Sequence, residues 1–421
     1  MTPSTLRNAI GPGLLMAGAA VGVSHLVQST RAGAEYGLAL VGLVVLGCVL
    51  KYPFLEFGPR YAAATGEHMI QGYRRLGKWP LGLFAFLTIA TMFIVLASVT
   101  IVTAGLAGTF FSLRLPVSTL ALIILSGCVL ILAIGHYRGL DLLMKILMVV
   151  LSLATLTAVV LAAGQRPDWT GLVPSLSESQ LLSGAGLAFV LALLGWMPIP
   201  LDAAAWHSLW TLERARETGI RPSVAHACTD FRIGYIGAVV LAVAFMTLGA
   251  LIMHGRGQSL AGSAVGFSNQ LIAMYATALG EWARPLIGFA ALATMLSTTL
   301  AVADAYPRAL RAMLELADAN PHVGRRKHRV RYLTGMLLTM AGAWLIIALV
   351  GEQFTLLIDF TTTIAFLTAP IIAWLNLKLL TGPHTPRAAQ PGPAMRYTAR
   401  AGLVFLTLFS LVWIGWRVST L

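Results

Sequence analysis

The sequence predicts an all-α integral membrane protein of about eleven transmembrane helices, and three observations predict it. Apolar runs of about 20 residues, the length that crosses a bilayer, recur from one end of the 421-residue chain to the other. Composition agrees, with 57% hydrophobic and only 11% charged residues. Basic residues are also unevenly placed. With the N-terminus in the cytoplasm, six of the 29 Lys and Arg (Arg31, Arg114, Arg166, Arg256, Arg284 and Arg417) fall on outer segments and the other 23 on inner ones. That split is the one the positive-inside rule describes, and it fixes the orientation of a multi-pass protein of the cell (inner) membrane.

In chain order the spans are expected at 9–30, 38–63, 81–110, 116–135, 141–163, 183–210, 233–253, 264–303, 332–350, 354–380 and 401–418. The eighth is too long for one crossing, so 264–278 reads as a separate interfacial helix before a span that starts near Pro285. Counting that piece as a crossing gives twelve spans and reverses the C-terminus. The loops are short. The longest polar ones are the inner connections 66–79, 211–231, 306–331 and 381–400, and the Pro-rich stretch from Gly382 to Pro393 reads as a flexible cytoplasmic linker. The first apolar stretch has no small-residue cleavage site, so it is expected to belong to the bundle and not to be a removable signal.

Several function classes drop out. The net charge of +13 is explained by the inner loops, and the Arg325-Arg326-Lys327-His328-Arg329 cluster is expected to face anionic lipid, not nucleic acid. Cys48, Cys128 and Cys228 lack metal-ligand spacing; the first two fall in spans and the third in an inner loop. There is no nucleotide-binding glycine loop and no nucleophile elbow, so no enzymatic activity is expected.

Two spans are interrupted in matching positions of the two halves. The first carries Gly18, Gly22, Ser24 and His25 near its middle, and the sixth carries Gly195-Trp196-Met197-Pro198-Ile199-Pro200-Leu201-Asp202. Pro198 and Pro200 remove two amide donors and clash with the preceding turn, so the helix is expected to break there. Lipid does not tolerate the freed carbonyls, so such breaks face protein or a cavity. Paired interruptions are the sequence pointer to a substrate site in a secondary transporter.

Polar groups at membrane depth supply the candidates: His25 and Gln28 in the first span, Asp202 and His207 in the sixth, Asp359 and Thr368 in the tenth. Asp202 follows the double-proline break where a half-helix begins. It can hold a cation beside free carbonyls and the Met197 thioether, or cap the half-helix, or both. His25 can ligate a metal, shuttle a proton or hydrogen-bond a carbonyl. Asp359 lies near the outer interface and reads as structural, as does His207 near the inner end of its helix. Asp304 is expected in an ion pair with Arg308 and Arg311.

These residues carry a family resemblance. Gly11-Pro12-Gly13-Leu14-Leu15 through Arg31-Ala32-Gly33-Ala34-Glu35-Tyr36-Gly37 resembles the first span of the Nramp divalent-metal transporters without a gap. Arg60-Tyr61-Ala62-Ala63-Ala64-Thr65-Gly66 looks like the end of their second span, and Gly135-His136-Tyr137-Arg138-Gly139-Leu140-Asp141 like the turn opening their fifth. The resemblance implies a leucine-transporter-like inverted repeat. Its first five helices would lie in 9–163, the inverted five in 183–380, a linker in 381–400 and one extra helix in 401–418. It also shows departures. The metal-binding Asp-Pro-Gly-Asn falls on Gly22-Val23-Ser24-His25, and Met-Pro-His becomes Met197-Pro198-Ile199. A third-span acidic pair falls on Met92 and Val95, and a tenth-span Gln on Thr368.

A rebuilt site would draw on Gly22, Ser24, His25, Met197, Asp202 and Thr368, with His25, Met197 and Asp202 as metal ligands. Two transport classes follow: a divalent cation at an altered site, or a small organic solute such as an amino acid or amine. A transport-inactive sensor is the third. No cofactor is expected, a divalent metal being cargo. The expected partners are that ion or solute and membrane lipid, with no nucleic acid.

Overall fold

The computed structural model describes residues 12–134, 138–165, 171–173, 183–256, 260–318, 325–350 and 353–419. Gly11, the Gly135-His136-Tyr137 part of the fifth-span turn and Arg166 lie outside them. Among the described residues there is no strand, and nine helices are long and apolar enough to cross a membrane. Two further passages are built from half-helices, which gives the eleven expected.

The first passage is α1 (Pro12–Ala20), a π-helical turn (Ser24–Ser29) and α2 (Thr30–Tyr36). Then come α3 (Val41–Thr65), the short amphipathic α4 (Met69–Leu76), α5 (Lys78–Phe110), α6 (Val117–Ile134) and α7 (Arg138–Gly164). The sixth passage is α8 (Gly184–Trp196) and α9 (Ala203–Thr218). It is followed by α10 (Val224–Ile252), α11 (Ala264–Leu279), α12 (Ala283–Ala317), α13 (Arg325–Val350), α14 (Phe354–Thr381) and α15 (Pro393–Ser419). Serine side chains start three of these helices: Ser183, Ser223 and Ser263 accept from the amides of Gly186, His226 and Gly266.

The long run 264–303 divides as its length demanded. α11 ends at Gly280, whose φ of +98° suits glycine alone, and α12 restarts three residues later. Other boundaries move. α12 continues to Ala317, so Asp304, Arg308 and Arg311 sit on a helix and not at its edge. Asp304 pairs with Arg308 (2.6 Å) and accepts from Tyr332 Oη (2.6 Å), while Arg311 pairs with Glu315 (3.7 Å). α10 begins at Val224, which places Cys228 on a helix, buried, and not in a loop.

The segment 381–400 is not a loose linker. Thr385 Oγ1 donates to Leu379 O (2.8 Å), Gln390 Nε2 to Gly382 O (3.1 Å), and Arg60 to Ala389 O (3.3 Å). α15 then starts at Pro393. Lys51, counted above with the inner segments, is in the middle of α3 and 2% exposed. The inward excess of basic residues survives its removal.

α5, α10 and α12 are the enclosed helices, and α6 and α15 lie at the rim. Leu122, Ile123 and Leu130 on α6 and Val404, Leu408 and Leu411 on α15 are exposed, as suits lipid-facing sides. Small residues let the half-helices seat closely. A Cβ on Gly58 of α3 would stand 2.2 Å from Ala204 O of α9, and one on Gly195 of α8 would stand 1.9 Å from Thr362 O of α14.

Candidate functional site between the two broken helices

The two breaks are built differently. In the first, the chain bends at Val21 and Gly22 and re-enters a helix through the π-turn. Thr298 of α12 packs where a Gly22 side chain would be, at 2.7 Å, and donates to Gly18 O (2.8 Å). Ser24 Oγ donates to Ala20 O (2.8 Å) and lies 3.3 Å from Pro198 O of the sixth-span break. Ser29 Oγ meets Met197 Sδ at 3.9 Å. The sixth-span break is the wider one. Helix α8 stops at Trp196, Met197 is extended, the Met197–Pro198 peptide is cis, and α9 begins after Asp202.

Asp202 occupies the N-cap position of α9, yet its side chain makes no capping hydrogen bond. Its carboxylate lies by the first amides of the half-helix, where the helix dipole favours negative charge. The side chain is mostly buried and lines a cavity. That cavity is lined by Thr88, Thr91 and Val95 of α5, Trp196 and Pro200 at the break, and Thr361 and Thr368 of α14. Thr91 and Thr368 donate their hydroxyl protons to their own helix (Leu87 O at 2.8 Å, Ile364 O at 3.0 Å), which leaves lone pairs free to face a cation. A buried donor nearby, the Trp196 indole, has no hydrogen-bond partner among the described residues.

A second cavity lies across Val95, Trp196 and Pro200 and is lined by Ala20, Ser24, Pro198, Trp206 and Thr298. Each cavity has room for a water molecule or a bare ion.

The structure therefore divides the predicted residues. Asp202 and Thr368 share the first cavity, and Ser24 lines the second. Gly22 is a packing position against α12. His25 lines neither cavity. Its Nε2 donates to Ala238 O of α10 (2.8 Å) and its Nδ1 is 2.8 Å from Ser24 Oγ, so both ring nitrogens are occupied. The Met197 thioether faces Ser29. His25, Met197 and Asp202 thus do not form the common metal site expected, because the first two turn toward other helices. No group of three or more His, Cys, Asp or Glu stands together among the described residues.

Three carbonyls at the end of α8, expected as ligands, are also taken. Lys51 Nζ donates to Leu194 O (3.2 Å), Gly195 O (3.1 Å) and Met197 O (2.9 Å). Sequence reasoning missed Lys51, although a lysine inside an apolar run was signal enough.

Arg31 ties α2 to the start of α14. Its guanidinium binds both oxygens of Asp359 (2.7 and 3.2 Å), with Gln28 joining the same carboxylate at 3.0 Å, and it covers the Phe189 ring at 5.0 Å. Asp359→Ala leaves this guanidinium, with a side chain only 10% exposed, without its main counter-ion. The variant is expected to lose about 1–2 kcal/mol, more than the Arg31→Gln, Asp359→Ala double variant loses. Melting of the purified proteins checks this; equal losses would count the pair as surface decoration.

The family profile described as natural resistance-associated macrophage protein-like (Nramp) matches residues 13–415. An uncharacterized protein of Pasteurella multocida is 36% identical over 415 residues, covering 97% of this chain and 93% of its own. The divalent metal cation transporter MntH of Brucella suis is 25% identical over 263 residues, 59% of this chain and 55% of that protein. Among solved structures, a variant of the Eremococcus coleocola manganese transporter superposes with a TM-score of 0.75 at 17% identity, covering 97% of this chain and 86% of that one. MhsT in complex with L-phenylalanine gives 0.62 at 14%, covering 95% and 98%. These likenesses establish the fold as the leucine-transporter-like inverted repeat with broken first and sixth helices. The match over nearly the whole length shows more than a shared fold: the chain belongs to the Nramp family.

Proposed function

We propose that this protein is a secondary-active transporter that carries a hard divalent cation by alternating access, held at Asp202 between α5, the sixth-span break and α14. The observation that carries the reading is the cavity itself: one carboxylate, several threonine hydroxyls and space for a single small ion. Family membership and the MntH and manganese-transporter relatives support a metal cargo. The ligand chemistry narrows it. With the Met197 sulfur turned to Ser29, the groups lining the cavity offer oxygen, the donor that Mg²⁺ and Mn²⁺ prefer and that Cd²⁺ does not require.

Val95 lines both cavities and Met92 accepts from Thr339 at 3.8 Å, so a carboxylate relay at those third-span positions is not part of the proposed mechanism. The basic inner loops support a cytoplasmic N-terminus in the cell (inner) membrane. Calorimetric titration of the purified protein with Mn²⁺, Mg²⁺ and Cd²⁺ tests the reading. Saturable binding of Mn²⁺ or Mg²⁺, at least about tenfold tighter than Cd²⁺, is expected. No binding by any of the three overturns the metal reading, and a Cd²⁺ preference brings the Met197 sulfur back as a ligand.

A further inference from the structure

The last carbonyls of a helix have no partner within it, and that end carries partial negative charge. At membrane depth, in a transporter with broken helices, such an end is where a small cation is held. In this protein the end of α8 is already filled. Lys51 reaches across from the middle of α3, and its ammonium donates to Leu194 O at 3.2 Å, Gly195 O at 3.1 Å and Met197 O at 2.9 Å. Three donors meet three acceptors, so the ammonium has nothing left for a substrate. The side chain is 2% exposed, and Asp202 is the carboxylate within electrostatic reach of it.

We propose that Lys51 is a built-in cation. It occupies, as part of the chain, the position at the end of α8 that a free monovalent ion would otherwise take, so transport needs no Na⁺ or K⁺ bound there. In this role Lys51 is a positioning residue. It ties α3 to both sides of Trp196 and fixes the extended Met197 carbonyl from which the chain runs on to Asp202. Its meaning for transport rests on the function proposed above, but occupancy of the helix end does not.

Lys51→Ala vacates a space lined by three carbonyls and sized for ammonium. K⁺ and NH₄⁺ match that size, Na⁺ is smaller, and N-methylglucamine cannot enter. The test is thermal melting of the purified full-length protein in N-methylglucamine, sodium, potassium or ammonium chloride at equal ionic strength. Wild type is expected to melt at the same temperature in all four. Lys51→Ala is expected to melt roughly 5 °C lower in N-methylglucamine. It should regain at least half of that loss, saturably, in K⁺ or NH₄⁺. Lys51→Met, which fills the space without charge, should be lowered and not recovered.

Loss without recovery by any cation overturns the proposal, and so does equal recovery of Lys51→Met. Should Lys51→Ala yield no folded protein, the wild type decides: a saturable rise of its melting temperature with Na⁺ or K⁺ would show the end open to free ions and overturn the assignment. Failure to bind Mn²⁺ or Mg²⁺ leaves this melting pattern unchanged, so the two proposals fail separately.

Discussion

Asp202→Ala is expected to abolish saturable Mn²⁺ binding while leaving the protein folded. Asp202 is the carboxylate that lines the cavity, and the hydroxyls around it are neutral. The carbonyls that might replace it are held by Lys51 and, at Pro198, approached by Ser24. Removing one member of a desolvated charge pair costs about 2–5 kcal/mol, so a hundredfold loss of affinity or more should follow. The cost to the fold should be small. The side chain makes no capping hydrogen bond, so its removal gives up less than the ~1 kcal/mol of a working cap. Asp202→Asn keeps the volume and discards the charge, and should bind as poorly. Calorimetry beside a size-exclusion profile reads both quantities, and unchanged affinity would remove Asp202 from the mechanism.

Gly195→Ala is expected to be among the most damaging methyl additions in the described residues. The added Cβ would stand 1.9 Å from Thr362 O and 2.8 Å from Thr362 C, and neither atom can swing aside because both are backbone. Relief requires α8 to back away from α14, which also pulls the Gly195 carbonyl off Lys51. Overpacking of this kind costs ~3 kcal/mol or more. The yield of monodisperse protein should collapse. Gly127→Ala is the control: nothing lies within 4 Å of its Cβ position on α6, and the change should be neutral or mildly stabilising. Equal yields from the two variants would mean that α8 and α14 are not packed as described.

Some of this was legible in the sequence, and the reasons are specific. The spans announce themselves through length and apolarity, and the sixth-span break through Pro198 and Pro200. Asp202 and Thr368 stood out because a polar group at membrane depth needs a reason to be there, and both line one cavity. His25 satisfied the same rule and misled, because its partner, Ala238 O, is 213 residues away and only the packing of α10 against the first passage brings it near. Lys51 was lost by being counted with a loop. Thr88 and Thr91 gave no signal, since threonine in a membrane helix ordinarily satisfies itself on its own backbone, as Thr91 does. The Gly382–Pro393 stretch had the composition of a free linker, but its polar groups found partners on α14 and within the segment itself.

Much of the backbone at the two breaks is already neutralised by residents of the chain: Thr298 at Gly18, Ser24 at Ala20, Lys51 at the end of α8. Recognition is then left to side chains. A cage made of main-chain carbonyls can be retuned only by moving the main chain, whereas a carboxylate and a ring of threonines can be rewritten one codon at a time. Such a scaffold can change its cargo by drift without first learning a new fold.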